Sequence, residues 1–191
     1  MIRTATIISL FICCLIDSAQ VAAEPTPFRA VYKADYKGLP VSAVGIRELK
    51  KVEGGIYQLS STAKSFFASV SEKSIFEIHD QYPVPIEYHY KRTGIGKNRD
   101  ITLAFDRQAG KVTSEQGPWE IEVTKKTLDK LLYQYRMRED LKHAQKNGQS
   151  WPDLNYEVAD GGRIKSYNFK ITGEELIDTP VGRINTVKAI R

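Results

Sequence analysis

The sequence predicts a mainly β fold: an antiparallel curved sheet, half-barrel or sandwich that carries one amphipathic helix near residues 128–146. Three observations lead to this prediction. Turn-forming residues recur about every eight to twelve positions, the spacing of an all-β sandwich or barrel. Residues 28–36 alternate apolar and polar side chains with the period of two of a half-buried strand. Residues 128–145 contain no Gly or Pro and consist mostly of good helix formers.

The predicted strands lie at regular intervals along the chain. They cover residues 28–36, 41–49, 56–64, 74–80, 86–92, 99–106, 111–115, 154–159, 163–172, 174–178 and 183–190. Asp160-Gly161-Gly162 separates two of these strands and predicts a tight hairpin, because glycine accepts positive φ at both turn positions.

The predicted helix covers residues 128–145. Thr127 is suited to cap its start, Asp129 to lie at its positive end, and Gly148 to end it. At 100° per residue the apolar side chains form two nearly opposite faces. One face carries Leu128, Leu131, Leu132 and Tyr135, and the other carries Tyr133, Met137, Leu141 and Ala144. Such a helix is either clasped by a curved sheet or partly exposed for a partner. Residues 131–137 also alternate as a strand would, but length and composition favour the helix.

Residues 1–23 have the pattern of a secretory signal peptide. Arg3 precedes an apolar stretch over residues 7–16, and Val21-Ala22-Ala23 predicts cleavage after Ala23. The apolar stretch is much shorter than the roughly 20 residues that span a bilayer. Ile12 before Cys13 does not suit lipid attachment. We therefore expect a soluble periplasmic protein in which residues 24–191 form a single β-rich domain.

The net charge and the positions of the cysteines limit which partners and which kinds of site the mature protein can have. The chain has 28 Lys and Arg against 23 Asp and Glu, a formal charge of +5, which favours anionic surfaces such as phospholipid headgroups or acidic glycans. Both cysteines, Cys13 and Cys14, lie in the signal peptide. Cleavage therefore excludes a disulfide scaffold, a thiolate nucleophile and a zinc–cysteine site. An exported protein is not expected to bind nucleic acid, and its oligomeric state is left open.

A hairpin over residues 76–91 is the strongest candidate for a metal site. A loop over 80–86 in simple register would pair Glu77 with His89 and His79 with Glu87 on one face. The core-facing side then carries Phe76, Ile78, Tyr88 and Tyr90. Two histidines and two carboxylates can bind zinc, but a flat sheet surface encloses an ion poorly. We expect solvated cross-strand His–Glu pairs and no metal or other cofactor.

No motif for nucleophilic catalysis or phosphate binding is complete. The chain has no Gly-x-Ser-x-Gly elbow, and residues 94–97 lack the full phosphate-loop pattern. His143 is placed to interact with the negative end of the helix dipole. No catalytic residue is predicted, although Asp35, Glu77 and Glu87 are the candidates if the protein is a hydrolase.

Two groups of residues are candidates for binding. A basic hairpin tip of Lys91, Arg92, Lys97 and Arg99 either contacts an anionic membrane surface or partner, or serves solubility. Aromatic residues pack in the core or, with the helix and the concave face of the sheet, line a pocket for an acyl chain or lipid. The candidates for that pocket are Tyr32, Tyr36, Phe66, Phe67, Tyr88 and Tyr90.

Three stretches carry a resemblance to a known family. They are YKADYKGLPV at residues 32–41, YHYKRTGIGKNR at 88–99 followed by Phe105-Asp106, and residues 174–187 around DTPVG. The chain thereby resembles the domain of unknown function 3108 family, uncharacterised exported proteins of proteobacteria. The resemblance implies an antiparallel β fold, with a sheet curved like the half-barrels of periplasmic lipoprotein carriers. It also implies a further C-terminal hairpin in the family, so that the chain is expected to be C-terminally truncated.

These observations favour a non-enzymatic periplasmic protein that binds an amphiphile, such as a lipid, or another envelope component. The first alternative is a hydrolase acting on envelope glycan or lipid. The second is a structural or assembly partner that uses a sheet edge for β-augmentation.

Overall fold

The computed structural model describes residues 24–35, 42–94 and 96–191. The predicted signal peptide, Tyr36 and the side chain of Asp35 lie outside the described residues. No helix in the described part of the chain is long and apolar enough to cross a membrane.

Eight strands form one antiparallel meander in which each strand pairs with the next along the chain. They are β1 (Phe28–Asp35), β2 (Ser42–Lys51), β3 (Tyr57–Lys64), β4 (Ala68–His79), β5 (Tyr82–Gly94), β6 (Arg99–Asp106), β7 (Lys111–Ser114) and β8 (Gly117–Glu122). The helix α1 (Leu132–Lys146) precedes a three-stranded antiparallel sheet of β9 (Leu154–Ala159), β10 (Ile164–Thr179) and β11 (Gly182–Ile190), with β10 in the middle. The larger sheet is curved and not closed, so the predicted fold class is confirmed.

The β4–β5 hairpin differs in register from the prediction. Asp80 and Gln81 have φ of 50° and 63°, so they form a tight two-residue turn and β5 begins at Tyr82. His79 pairs with Tyr82, Glu77 with Val84, Ile75 with Glu87 and Lys73 with His89. The predicted Glu77–His89 and His79–Glu87 pairs are therefore wrong.

The register error comes from the predicted loop over residues 80–86, most of which forms the start of β5 instead. Pro83 and Pro85 lie in this stretch, and proline cannot donate to a sheet. Residues 82–86 pair with β4 alone, however, so their other edge needs no N–H donor. The register shifts by one residue at a bulge between Ile75 and Phe76. After this shift, the side chains that were predicted to face the core do so on both strands. Phe76 and Tyr88 are buried, and Ile78 and Tyr90 pack against the core, as predicted.

Two further strands depart from the prediction. β8 is not among the predicted strands. It begins with Gly117-Pro118, and proline is tolerated there because β8 is an edge strand in the described sheet. β10 is one continuous strand where two were predicted. Residues 164–169 pair with β9 and residues 170–179 with β11, and the register with β11 shifts between Ile171 and Gly173.

The helix begins at Leu132, later than predicted. Leu128 is bonded to β9 instead: its N–H donates to the Glu157 carbonyl over 2.8 Å, and its carbonyl accepts from the Ala159 N–H over 2.9 Å. Asp129, rather than Thr127, accepts the free N–H groups of Leu131 and Leu132, over 2.8 and 2.7 Å. Gly148 follows the last turn with φ of 61°, as its predicted role requires.

The helix lies between the two sheets, so it is clasped rather than exposed. On one side the ring of Tyr135 lies 5.7 Å from that of Phe76, which in turn lies 5.7 Å from Tyr57 in the larger sheet. On the other side Tyr133 stacks on Phe169 and meets the edge of Tyr167, with centroids 5.9 and 5.0 Å apart. Both predicted apolar faces of the helix are therefore used in packing.

Candidate ligand-binding groove

A groove opens where β5 and β6 part. Their pairing ends at Glu87 and Ala104, although β5 extends back to Tyr82 and β6 runs on to Asp106. Pro83 and Pro85 have no N–H to donate. This end of β5 therefore offers β6 few donors, and the two strands separate.

The β5–β6 groove has a volume of about 890 Å³, within the range typical of small-molecule sites. Its apolar lining is formed by Tyr82, Val84, Pro85, Ile86, Phe105 and Val123. Side chains from both faces of the sheet contribute, since Val84 pairs with Glu77 on the outer face while Phe105 belongs to the core. An apolar lining of this size suits an acyl chain.

Arg107 forms part of the groove wall and is rigidly held. Its two terminal nitrogens donate to the carbonyls of Thr124 and Thr127, each over 2.8 Å, and its guanidinium lies 5.2 Å from the Phe105 ring centre. Burial lowers the pKa of this guanidinium. Its Nε is buried and has no hydrogen-bond partner within the described residues.

Tyr82 joins the hairpin to the same wall. Its hydroxyl donates to the Lys126 carbonyl over 2.8 Å, and the Arg136 guanidinium lies 4.9 Å from its ring centre. Burial raises the pKa of Tyr82 to about 12, so the hydroxyl stays neutral and remains a donor at physiological pH. Tyr82 and Arg107 together hold residues 124–127 in place beside the groove.

The charges at the groove are unevenly distributed. Arg107, Lys125 and Lys126 lie on the wall formed by the β6–β7 turn and the segment after β8. Glu77 and Asp80 lie on the β4 side, where Glu77 is already engaged with His79 over 2.8 Å. The groove thus offers an apolar interior and a cationic wall, the two features that an anionic amphiphile requires.

The structure distributes the predicted pocket residues over separate places. Phe66 is fully exposed and Phe67 is 44% exposed, both in the connection between β3 and β4. Tyr32 lines a cavity between β1 and α1, whereas Tyr88 and Tyr90 line a cavity of about 220 Å³ near Trp119. Tyr36 lies outside the described residues. None of the placed residues lines the β5–β6 groove.

The basic hairpin tip is partly engaged in local contacts. Lys91 pairs with Asp100 over 2.9 Å, and His89 contacts the same carboxylate over 2.7 Å. These hydrogen bonds lower the pKa of Asp100. Lys97 and Arg99 are exposed, and Arg99 also lines the small cavity that contains Tyr88. Arg92 lies beside Gly96, within the same tip. Membrane contact by this tip stays a prediction.

The carboxylates and histidines considered for catalysis or metal binding do not converge where their side chains are described, which excludes Asp35. Glu77 contacts His79, Glu87 faces Lys73 over 3.6 Å, and His89 contacts Asp100. His143 lies in the last turn of the helix next to Asn147. No group of three or more His, Asp or Glu side chains that could bind a metal ion occurs among the described residues.

We expect replacement of both His79 and His89 by Ala to change the free energy of unfolding by less than about 1 kcal/mol, because exposed pairs contribute little. Zinc or a chelator should leave the melting temperature of the wild-type protein unchanged. An ion bound only by the native state would raise it. A zinc-dependent rise that disappears in the double variant would establish a metal site.

The sequence did not predict the residues that line the β5–β6 groove, because the start of β5 was interpreted as a loop. Pro83 and Pro85 fall within the predicted loop over residues 80–86, yet in a strand they mark where pairing with the next strand fails. Phe105 and Val123 carried no signal beyond that of ordinary core residues.

Comparison with known proteins defines the family. Residues 31–191 match the family described as protein of unknown function DUF3108, and the chain belongs to this family. No curated protein and no solved structure matches the chain significantly.

Proposed function

We propose that the protein is a non-enzymatic envelope protein that binds an anionic, single-chain amphiphile in the β5–β6 groove. The observation that carries this proposal is the pairing of an apolar lining with a cationic wall in one cavity of about 890 Å³. The acyl chain lies along Val84, Ile86 and Phe105. The anionic head lies at Arg107, Lys125 and Lys126.

The chemistry of the groove supports this orientation. Burial of an acyl chain stabilises the complex by about 0.8 kcal/mol for each methylene group removed from water. The Arg107 guanidinium lines the groove, and the two lysines are exposed at the mouth. An anionic headgroup therefore gains hydrogen bonds and charge complementarity that a cationic headgroup does not.

Export to the periplasm belongs to the same proposal, because envelope amphiphiles are found there. We expect the mature protein to begin at Glu24, after cleavage of residues 1–23. Intact-mass measurement of protein isolated from a Gram-negative host tests this. Retention of Met1, or a mass increase that corresponds to a diacylglyceryl group, would contradict it.

A binding experiment tests the groove directly. We expect dodecanoate, below its micelle concentration, to bind the delipidated protein more tightly than dodecyltrimethylammonium does. Ile86→Asp should weaken dodecanoate binding at least about tenfold, because a carboxylate in the apolar lining would lose hydration when the acyl chain packs against it. Isothermal titration calorimetry measures both affinities.

A matched control is Ile164→Asp. Ile164 and Ile86 are both 36% exposed, but Ile164 lies at the start of β10, away from the groove. This variant should bind dodecanoate like the wild type. Equal losses in the two variants, or no binding by the wild type, would contradict the proposal.

A further inference from the structure

A second cavity, of about 560 Å³, lies between the first strands of the larger sheet and the helix. Phe28 and Tyr32 of β1 form one wall, and Tyr133 and Met137 of α1 form the opposite wall. It shares no lining residue with the β5–β6 groove. The two cavities are therefore independent candidates for ligand binding.

Three arginines line this second cavity, and no carboxylate does. They are Arg29 of β1, Arg47 of β2 and Arg138 of α1; the cavity is called the arginine cleft below. Arg47 pairs with Ala30, which places it on the same face as the two aromatic side chains of β1. The register of β1 and β2 thus places a cation between aromatic rings.

The guanidinium of Arg47 has more N–H donors than the one hydrogen bond to Gln134 uses. It is partly buried, and one of its nitrogens donates to Gln134 Oε1 over 2.9 Å. A guanidinium has five N–H donors. Within the described residues no carboxylate lies within ion-pair distance of Arg47 or Arg29. Burial lowers the pKa of Arg47, and the nearby Glu72 opposes this effect without contacting it.

Arg138 completes the cationic side of the cleft. Its guanidinium lies 5.0 Å from the Phe28 ring centre and 3.3 Å from the neighbouring Glu139 carboxylate. The aromatic contact places this cation beside the apolar wall. Positive charge and apolar surface therefore adjoin each other within the cleft.

We infer that the arginine cleft binds a phosphoryl group carried on an apolar body. The guanidinium groups of Arg47 and Arg138 carry two positive charges, which match a dianion better than a monoanionic carboxylate. Guanidinium forks also suit the oxygens of a phosphate, which they contact in pairs. The aromatic and thioether walls accept the apolar body. The same chemistry is presented by a lipid phosphate and, without the body, by free phosphate.

Calorimetric titration distinguishes these two sources. The purified protein is titrated with dioctanoyl phosphatidic acid and, separately, with inorganic phosphate. Binding of the lipid alone identifies a lipid phosphate as the ligand, whereas binding of both, with the same dependence on Arg47, identifies the phosphate group itself. Arg47→Gln and Arg138→Gln should each weaken binding about tenfold.

Arg163→Gln serves as the control, because it removes the same charge from an exposed position between β9 and β10. It should bind like the wild type. Arg138 is exposed, so its variant tests the cleft even if Arg47→Gln is less stable. Melting temperatures show whether each variant is folded. The inference is overturned if neither ligand binds, or if the control weakens binding as much as the cleft variants do.

The Ile86→Asp variant separates this inference from the proposed function. If Ile86→Asp abolishes binding of phosphatidic acid and the arginine variants do not, the lipid occupies the β5–β6 groove. The inference then fails while the proposed function stands. Loss in the arginine variants alone supports the arginine cleft, whatever the outcome for dodecanoate.

Discussion

Replacement of Phe76 by Ala should lower the free energy of unfolding by about 3–5 kcal/mol. Phe76 is fully buried, and its ring lies 5.7 Å from those of both Tyr57 and Tyr135. It therefore connects the larger sheet to the helix, and truncation leaves a cavity at that contact. Urea unfolding, followed by circular dichroism, measures the loss.

Phe66→Ala is the matched control, since it removes the same atoms from a side chain that is fully exposed. Its effect on stability should stay within about 0.5 kcal/mol. Similar losses in the two variants would contradict the assignment of Phe76 to the centre of the core.

Replacement of Asp129 by Ala should lower the free energy of unfolding by about 3 kcal/mol near pH 6. The fully buried carboxylate accepts the N–H groups of Leu131 and Leu132 and the hydroxyl of Ser74, the last over 2.5 Å. Alanine leaves these buried donors without a partner. Asp129→Asn keeps an acceptor for the backbone and should cost about 1 kcal/mol. Urea unfolding distinguishes the two, and equal losses would contradict the capping role.

The titration of Asp129 gives this prediction a pH dependence. Burial raises the pKa of its carboxyl from 3.8 to about 6, despite the three hydrogen bonds that favour the charged form. The folded state therefore binds the proton more tightly than the unfolded state does. The resulting stabilisation is complete below about pH 4 and is lost as the pH rises through 6, by up to about 3 kcal/mol. The difference in stability between the wild type and Asp129→Asn should shrink over that range.

The sequence predicted the fold wherever local pattern and tertiary contacts agree. The alternation in β1 and the run of helix formers in α1 are local signals, and both elements form. The start of the helix was not predictable from such signals, because Leu128 forms an isolated bridge opposite Val158 of β9, thirty residues away in the chain. A bridge between two residues so far apart in the chain cannot be predicted from the local sequence pattern.

The candidate sites were less predictable than the fold. Aromatic composition indicated a pocket, but composition does not say which rings share a cavity. Tyr88 faces the core, whereas Phe66 faces solvent at a turn. The β5–β6 groove depends on where two strands stop pairing, and Pro83 and Pro85 signal this only once β5 is known to begin at Tyr82.

The most direct test of the proposed function is native mass spectrometry of the protein purified from periplasm without detergent. We expect a bound species with the mass of a single-chain anionic amphiphile in the wild type and in Ile164→Asp. That species should be absent from Ile86→Asp. Wild-type protein that is consistently empty, or a bound species that Ile86→Asp retains in full, would contradict it.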